Sequence, residues 1–326
     1  MAANGKVKFD TSKIFVGTKE QNQMLFSGIR GIRRIIFRAM YYLLLFDLAF
    51  VFLYPFITMI VDSLKTDADL VNITVKWLPS ELEFSNYVVA YKQLNYLNYI
   101  KNSAIVAIVA TIGHVLSCAF VGYGFARYRF PGKSVLFGGV ILSMIVPVQV
   151  LIFPLYMQYS QWNWLDSYLP LLVPTFFGFG LNGAFFVFLF RQFFVGLPYE
   201  MEEAAKIDGC GPLRTFFGIM MPMAKSSMLV CLVLSMVWHW NDYFEPNIYL
   251  RTNTKFMLPS RLPALYALLN AENFDFNSTS ELTEIIFNQA MLMAATFLTI
   301  LPILIIYSLL QKKFMEGVER SGLTGM

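Results

Sequence analysis

The sequence predicts an all-α integral membrane protein with six transmembrane helices, and three observations carry that prediction. Of 326 residues, 57% are hydrophobic and only 14% are charged, too little polar surface for a soluble chain of this length; mean hydropathy is +0.56. The apolar residues fall in six blocks, about 40–61, 102–126, 134–158, 169–190, 227–247 and 289–311. Each has the ~20 residues, or ~30 Å of helix, that cross a bilayer core. Lys and Arg are shared unevenly between the two sets of loops: eighteen on one side and seven on the other, which puts both termini in the cytoplasm.

In chain order, residues 1–39 form a basic cytoplasmic leader carrying Lys6, Lys8, Lys13, Lys19, Arg30, Arg33, Arg34 and Arg38. The leader is polar and the apolar run that follows from Met40 is too long for a signal h-region, so no cleavable signal peptide is expected. Within it, GIRGIRRIIFRAM spaces its arginines at helical intervals. That pattern suits either an amphipathic helix on anionic membrane lipid or plain anchoring of the first span. Residues 40–312 then hold the six spans. Pro55, Pro147, Pro154, Pro174 and Pro302 lie inside them, as tolerated where neighbouring helices satisfy freed carbonyls. Two extracytoplasmic loops, 62–101 and 248–288, are long enough to expect an external partner. Residues 313–326 form a cytoplasmic tail.

Several chemistries are excluded. GFGLNG at Gly178–Gly183 matches a dinucleotide fingerprint by letter but follows no strand. Close packing of small residues between helices accounts for it better. GKS at 132–134 lacks the first Walker glycine, since position 127 is Arg127. Cys118, Cys210 and Cys231 share no metal spacing, and His114 and His239 lie far apart in sequence. No catalytic constellation converges, so the chain is expected to be neither an enzyme nor a holder of metal or cofactor. The basic residues cluster at span ends, and no nucleic-acid footprint is implied.

The segment EEAAKIDGCGPLRTFFGIMMP, Glu202–Pro222, breaks the apolar pattern. Pro198 suits the first position of a helix, and Glu200, Glu202 and Glu203 suit its positive end. Ala204 and Ala205 make a thin face for close approach. Asp208-Gly209 and Gly211-Pro212 predict a turn, after which Leu213–Met221 forms a second short helix ended by Pro222. The product is a charged elbow between the fourth and fifth spans, 198–221, fit for docking a partner or for serving as an amphipathic connector.

Glu203, Ala204, Ala205, Gly209, Ile219 and Pro222 stand in the register E-A-A, three residues, G, nine residues, I-x-L-P, with Met221 in place of the leucine. In this the chain resembles the permease subunits of ABC importers. RYRFPGK, MIVPVQVLIFPLY, WHWNDYFEP, LPSRL and QKKFMEGVERSGLTGM extend the likeness over about 40–326, to the carbohydrate-uptake branch that includes the second subunit of the maltose permease. The resemblance implies a type I importer fold in the bacterial inner membrane. It implies a cytoplasmic coupling helix, a second permease subunit forming a heterodimer, an ABC ATPase dimer that binds ATP and Mg, and an extracytoplasmic solute-binding protein. Glu203, Ala204, Ala205, Asp208, Gly209, Ile219 and Pro222 would couple to the ATPase, and the cargo would be a sugar or oligosaccharide.

Polar residues inside spans are costly and hence functional candidates: Asp47, His114, Gln149, Gln158, Asn182, His239, Asn241 and Asp242. Aromatic faces stack on sugars while amides and carboxylates bond hydroxyls, so candidate pathway-lining residues are Gln149, Asn182, Trp240, Asn241, Asp242 and Tyr243. Interhelical hydrogen bonding is the alternative role, and the preferred one for His114. The alternative function is a secondary transporter for a polar solute, which would need mid-membrane coupling carboxylates and inverted repeats.

Overall fold

Proline and glycine decide where the apolar blocks bend. The computed structural model describes residues 19–271 and 287–323, with side chains over 34–269 and 287–317; the leader lysines Lys6, Lys8 and Lys13, much of the expected 248–288 loop and the last three residues of the tail lie outside that range. Every regular element among the described residues is helical. In order they are α1 (Lys19–Ser63), α2 (Asp67–Val71), α3 (Ser85–Gln93), α4 (Tyr96–Arg127), α5 (Lys133–Ile145), α6 (Val148–Gln161), α7 (Leu169–Leu172) and, after a 3-10 turn at Val173–Phe177, α8 (Gly183–Val195). There follow α9 (Glu200–Ile207), α10 (Pro212–Thr215), a π turn at Phe216–Met220, α11 (Met221–Met223), α12 (Lys225–Asn241), α13 (Phe244–Tyr249), α14 (Leu258–Ala271) and α15 (Gln289–Leu323).

The chain divides into two units, Met1–Thr58 and Met59–Met326. In the first, α1 runs without a break from Lys19 and exposes large apolar side chains such as Leu43 and Phe46. The second is built around α4, which packs on α8, α12 and the 3-10 turn. Gly122 permits the close contact with α8: a Cβ there would lie 2.7 Å from Phe190 Cβ and 2.9 Å from the Arg191 backbone N. Val115, Ala119 and Tyr123 of α4 join Phe186, Phe190 and Phe194 of α8 and Phe216 and Met220 of the π turn in one core. A second core joins α3, α12, α14 and α15 through Leu94, Trp240, Leu265 and Ala295. α15 continues to Leu323 as one helix.

Three helical stretches are long and apolar enough to cross a membrane: Arg34–Ser63, Tyr96–Arg127 and Gln289–Gly317. The other expected spans are not single helices. The 134–158 block bends by 105° between α5 and α6, because Pro147 forces the preceding Val146 into extended backbone (φ −70°, ψ 120°). The 169–190 block is broken too. Pro170 and Pro174 tighten it into a short α turn and a 3-10 turn, and Gly178, Gly180 and Asn182 then take positive φ of 70°, 98° and 59°. Gly178 and Gly180 of GFGLNG thus serve a reversal of the chain, a correction to their expected role in close packing between helices. Gly183 alone has the small-residue role, since a Cβ there would come within 2.6 Å of the Gly178 carbonyl oxygen.

Candidate functional site

Two places collect the residues singled out by sequence: the elbow from Glu200 to Met223, and a cavity beside the Gly178–Gly183 reversal.

At the elbow, α9 begins at Glu200, two residues after Pro198, with the Tyr199 carbonyl accepting from the Glu202 and Glu203 amides. Three carboxylates in its first turn meet the positive end of the helix dipole. Its end is a Schellman motif: Gly209 N–H bonds Lys206 O at 3.0 Å, and Cys210 N–H bonds Ala205 O at 2.9 Å. Gly209 supplies the φ of +77° this requires. Pro212 then opens α10, and the π turn carries Phe216 and Met220 inward while Phe217 stays outside. The break before α12 falls at Ala224, two residues beyond the expected stop at Pro222, with a bend of 76°.

The structure divides the predicted elbow residues between two faces. Glu203, Ala204, Asp208, Gly209 and Pro222 are exposed. Ala205 is buried, so the thin face expected of both alanines belongs to Ala204 alone. Ile219 packs against the α4–α8 core. Sequence reasoning missed Ile207, 86% exposed, and Leu213, 62% exposed, two large apolar side chains left uncovered on the elbow. It also missed that Glu202 points inward to Arg127 at the end of α4, with Arg127 Nε 2.9 Å from Glu202 Oε1.

The cavity, about 860 Å³, lies between the bent α5–α6 pair, the reversal, α8 and the end of α12. Trp238, Phe179, Phe185, Tyr159 and Tyr249 give it aromatic walls, and Asn182 and Glu245 face it as polar lining. Of the predicted lining residues, Asn182 is there. Gln149 is exposed and flanked by the lining residues Val148 and Leu151. Trp240 is buried, its indole N–H donating to Thr299 O at 3.0 Å, which ties α12 to α15 and corrects its expected place in the pathway. Asp242 Oδ1 accepts from the Phe244 and Glu245 amides and caps α13, while Asn241 and Tyr243 are exposed beside it. Trp238 and Glu245 line the cavity from the same WHWNDYFEP run, two or three residues from those chosen by type.

Polar side chains hold the cavity wall. His114 Nδ1 lies 3.1 Å from Ser235 Oγ and 3.4 Å from His239 Nε2, and its Nε2 lies 3.2 Å from Phe179 O. His114 therefore links α4, α12 and the reversal, the interhelical role expected of it. No group of three potential metal ligands occurs among the described residues.

A third cluster lies at the opposite end of α4. Asp166, beyond α6, accepts from the Arg251 and Thr252 amides, the Thr252 hydroxyl and the Lys255 ammonium, the last at 3.0 Å. These bonds, that of the Thr252 hydroxyl foremost, hold its carboxyl well below the usual carboxylate range. Asn98 and Asn102 of α4 donate to Thr254 O, and Asn102 also to Phe256 O, each at 2.9 Å.

Comparison with known proteins places these features. Residues 118–319 match the family described as "Binding-protein-dependent transport system inner membrane component". The arabinooligosaccharides transport system permease protein AraQ of Halalkalibacterium halodurans is 29% identical over 281 residues, 85% of this chain and 93% of that protein. The sn-glycerol-3-phosphate transport system permease protein UgpE of Pectobacterium atrosepticum is 31% identical over 220 residues, 68% of this chain and 72% of that protein. A chain of a bacterial ABC transporter involved in the import of the acidic polysaccharide alginate shares the fold. Its TM-score is 0.71 at 23% identity, covering 86% of this chain and 96% of that one.

Proposed function

Since this chain belongs to the family of inner-membrane components of binding-protein-dependent transport systems, we propose that it is one of two permease subunits of an ATP-driven sugar importer, with oligosaccharides as cargo. The single observation that carries the coupling part of this reading is the elbow. An eight-residue charged helix is stopped by Gly209 and exposes Ile207 and Leu213 between Glu203, Asp208 and Arg214. An exposed apolar tip ringed by charge marks an interaction surface. The partner that fits is a separate ATPase with a cleft for the tip and a cation for Glu203. ATP and Mg belong to that partner, and work enters this chain through an interface that differs between two conformations.

The six-span count follows once the bent stretches are assigned. Arg34–Ser63, Tyr96–Arg127 and Gln289–Gly317 are three spans, the α5–α6 pair is one, and residues 169–195 and 225–249 are two more. We read α9 as the elbow rather than half a span, because Glu200, Glu202, Glu203 and Lys206 fill half of it. The cavity with Asn182, Trp238 and Glu245 is this chain's contribution to the pathway, and Gln149, Asn241, Asp242 and Tyr243 border it. A second permease subunit completes the path, a solute-binding protein docks on the outer side, and the basic leader 1–39 and tail 313–326 stay inside. The likeness to arabinooligosaccharide permeases supports a saccharide cargo.

The test is purification of the chain from its host membrane with whatever binds it. An ABC ATPase should co-purify. Glu203→Ala should abolish solute uptake, and Gly209→Asp should do the same by forcing a side chain to φ +77°, both at normal membrane levels. Normal uptake by both variants, or a wild-type preparation without an ATPase, overturns the reading. Ion-coupled uptake without ATP would favour a secondary transporter instead.

A further inference from the structure

The elbow is tied to the rest of the chain through one arginine. Arg127, the last residue of α4, has a side chain only 1% exposed. It engages the α8–α9 connection at three successive places. Nη2 donates to Leu197 O at 2.7 Å, the guanidinium lies 4.3 Å over the Tyr199 ring, and Nε lies 2.9 Å from Glu202 Oε1. The last is a charge contact rather than an aligned hydrogen bond, and Nη1 has no partner among the described residues. The planar guanidinium can therefore hold Leu197, the Tyr199 ring and Glu202 at once, which the compact ammonium of a lysine, without a planar face, would not do. Glu202 is turned inward while its neighbour Glu203 is exposed, so adjacent carboxylates face opposite ways.

α4 is continuous from Tyr96 to Arg127, a rod of about 45 Å at 1.5 Å per residue. Its far end holds the 253–256 segment through Asn98 and Asn102. We infer that Arg127 and Glu202 form a clamp that makes the elbow and the adjoining end of α4 move as one body, Arg127 being a positioning residue for transmission of the elbow's motion. The inference rests on the coupling role proposed above. A burial-only role predicts a different outcome, because a buried ion pair can be exchanged for apolar residues without loss of stability.

The experiment uses the complete transporter in lipid nanodiscs, spin-labelled at Arg129→Cys and Lys206→Cys in a Cys210→Ser background, with and without ADP and vanadate. The intact clamp should give one narrow label separation that is the same in both states. Glu202→Gln and Arg127→Met should each broaden it at least twofold, and Arg127→Lys should fall between. The exchanged pair Arg127→Glu with Glu202→Arg should restore it. The apolar pair Arg127→Met with Glu202→Leu should keep the wild-type Tm yet give the broad separation. It also decides the matter should a single variant fail to accumulate. A narrow separation in the apolar pair overturns the clamp and leaves a merely structural contact. A wild-type preparation without an ATPase defeats the coupling reading instead, and the label widths still judge whether elbow and helix are joined.

Discussion

Single residues here act mostly by satisfying backbone, and Asp166 shows what that is worth. Its left-handed backbone (φ 55°) lets one carboxylate gather two amides, a hydroxyl and an ammonium from Arg251, Thr252 and Lys255. Because these bonds favour the charged form, its folded pKa lies below the unfolded value of about 3.9. The stabilisation is therefore complete above pH ~4 and is lost as pH falls through the depressed folded value. Asp166→Asn keeps the shape but removes the charge and one acceptor oxygen, leaving a donor facing donors. Limited proteolysis of the 249–256 segment should speed up several-fold in that variant at pH 7. In the parent it should speed up only in strong acid. Equal rates in parent and variant at pH 7 would show that the Asp166 carboxylate does not hold the segment. Nothing in the sequence marked Asp166, because its partners lie 85 or more positions away. Gly209 was legible, by contrast, since its reason is local: a helix that ends at Ile207, four residues before the Gly211-Pro212 step.

Elements divide the same way. The apolar blocks revealed where helices occur, but a hydropathy window averages over the residues that bend them. Pro147 acts on the dihedrals of Val146, and Gly178, Gly180 and Asn182 supply positive φ, so two blocks read as single spans are a sharply bent pair and a reversal. The cavity exists because of those two bends, which is why residue type alone chose Trp240 when Trp238 lines it. The α4–α8 contact is the rigid counterpart. Gly122 leaves no room for a Cβ against Phe190 and the Arg191 backbone, and the facing residues are backbone or Cβ atoms that cannot rotate away. Gly122→Leu should destabilise by at least the ~1–3 kcal/mol typical of overpacking. Thermal unfolding in detergent should show this as a lowered Tm, whereas Gly139→Leu, at a site with no atom within 4 Å of the added Cβ, should unfold like the parent. Equal Tm for the two would place α4 and α8 farther apart than the structure has them.

At the scale of the whole molecule, α4 gives direction to everything else. One of its ends carries Arg127 and the elbow, the other Asn98 and Asn102 with the Asp166 cluster. Its 32 residues exceed the ~20 needed to cross a bilayer, so on the proposed topology the two clusters lie on opposite sides of the membrane. On that proposed topology, charge assigns the sides. Arg127, Arg129, Lys133, Arg191, Lys206, Arg214 and Lys225 gather at the elbow end, and short loops rich in Lys and Arg stay in the cytoplasm. Under the proposed reading, that placement turns the acidic first turn of α9 toward the compartment that holds the ATPase. In a Cys210→Ser background, where the remaining Cys118 and Cys231 are buried, Lys206→Cys should react with a membrane-impermeant maleimide in inverted vesicles and not in intact cells. Lys92→Cys, exposed on α3, should show the opposite pattern. The reverse result for both cysteines would turn the elbow outward, where no ATP-driven motor could reach it, and coupling through Glu203 would be physically excluded.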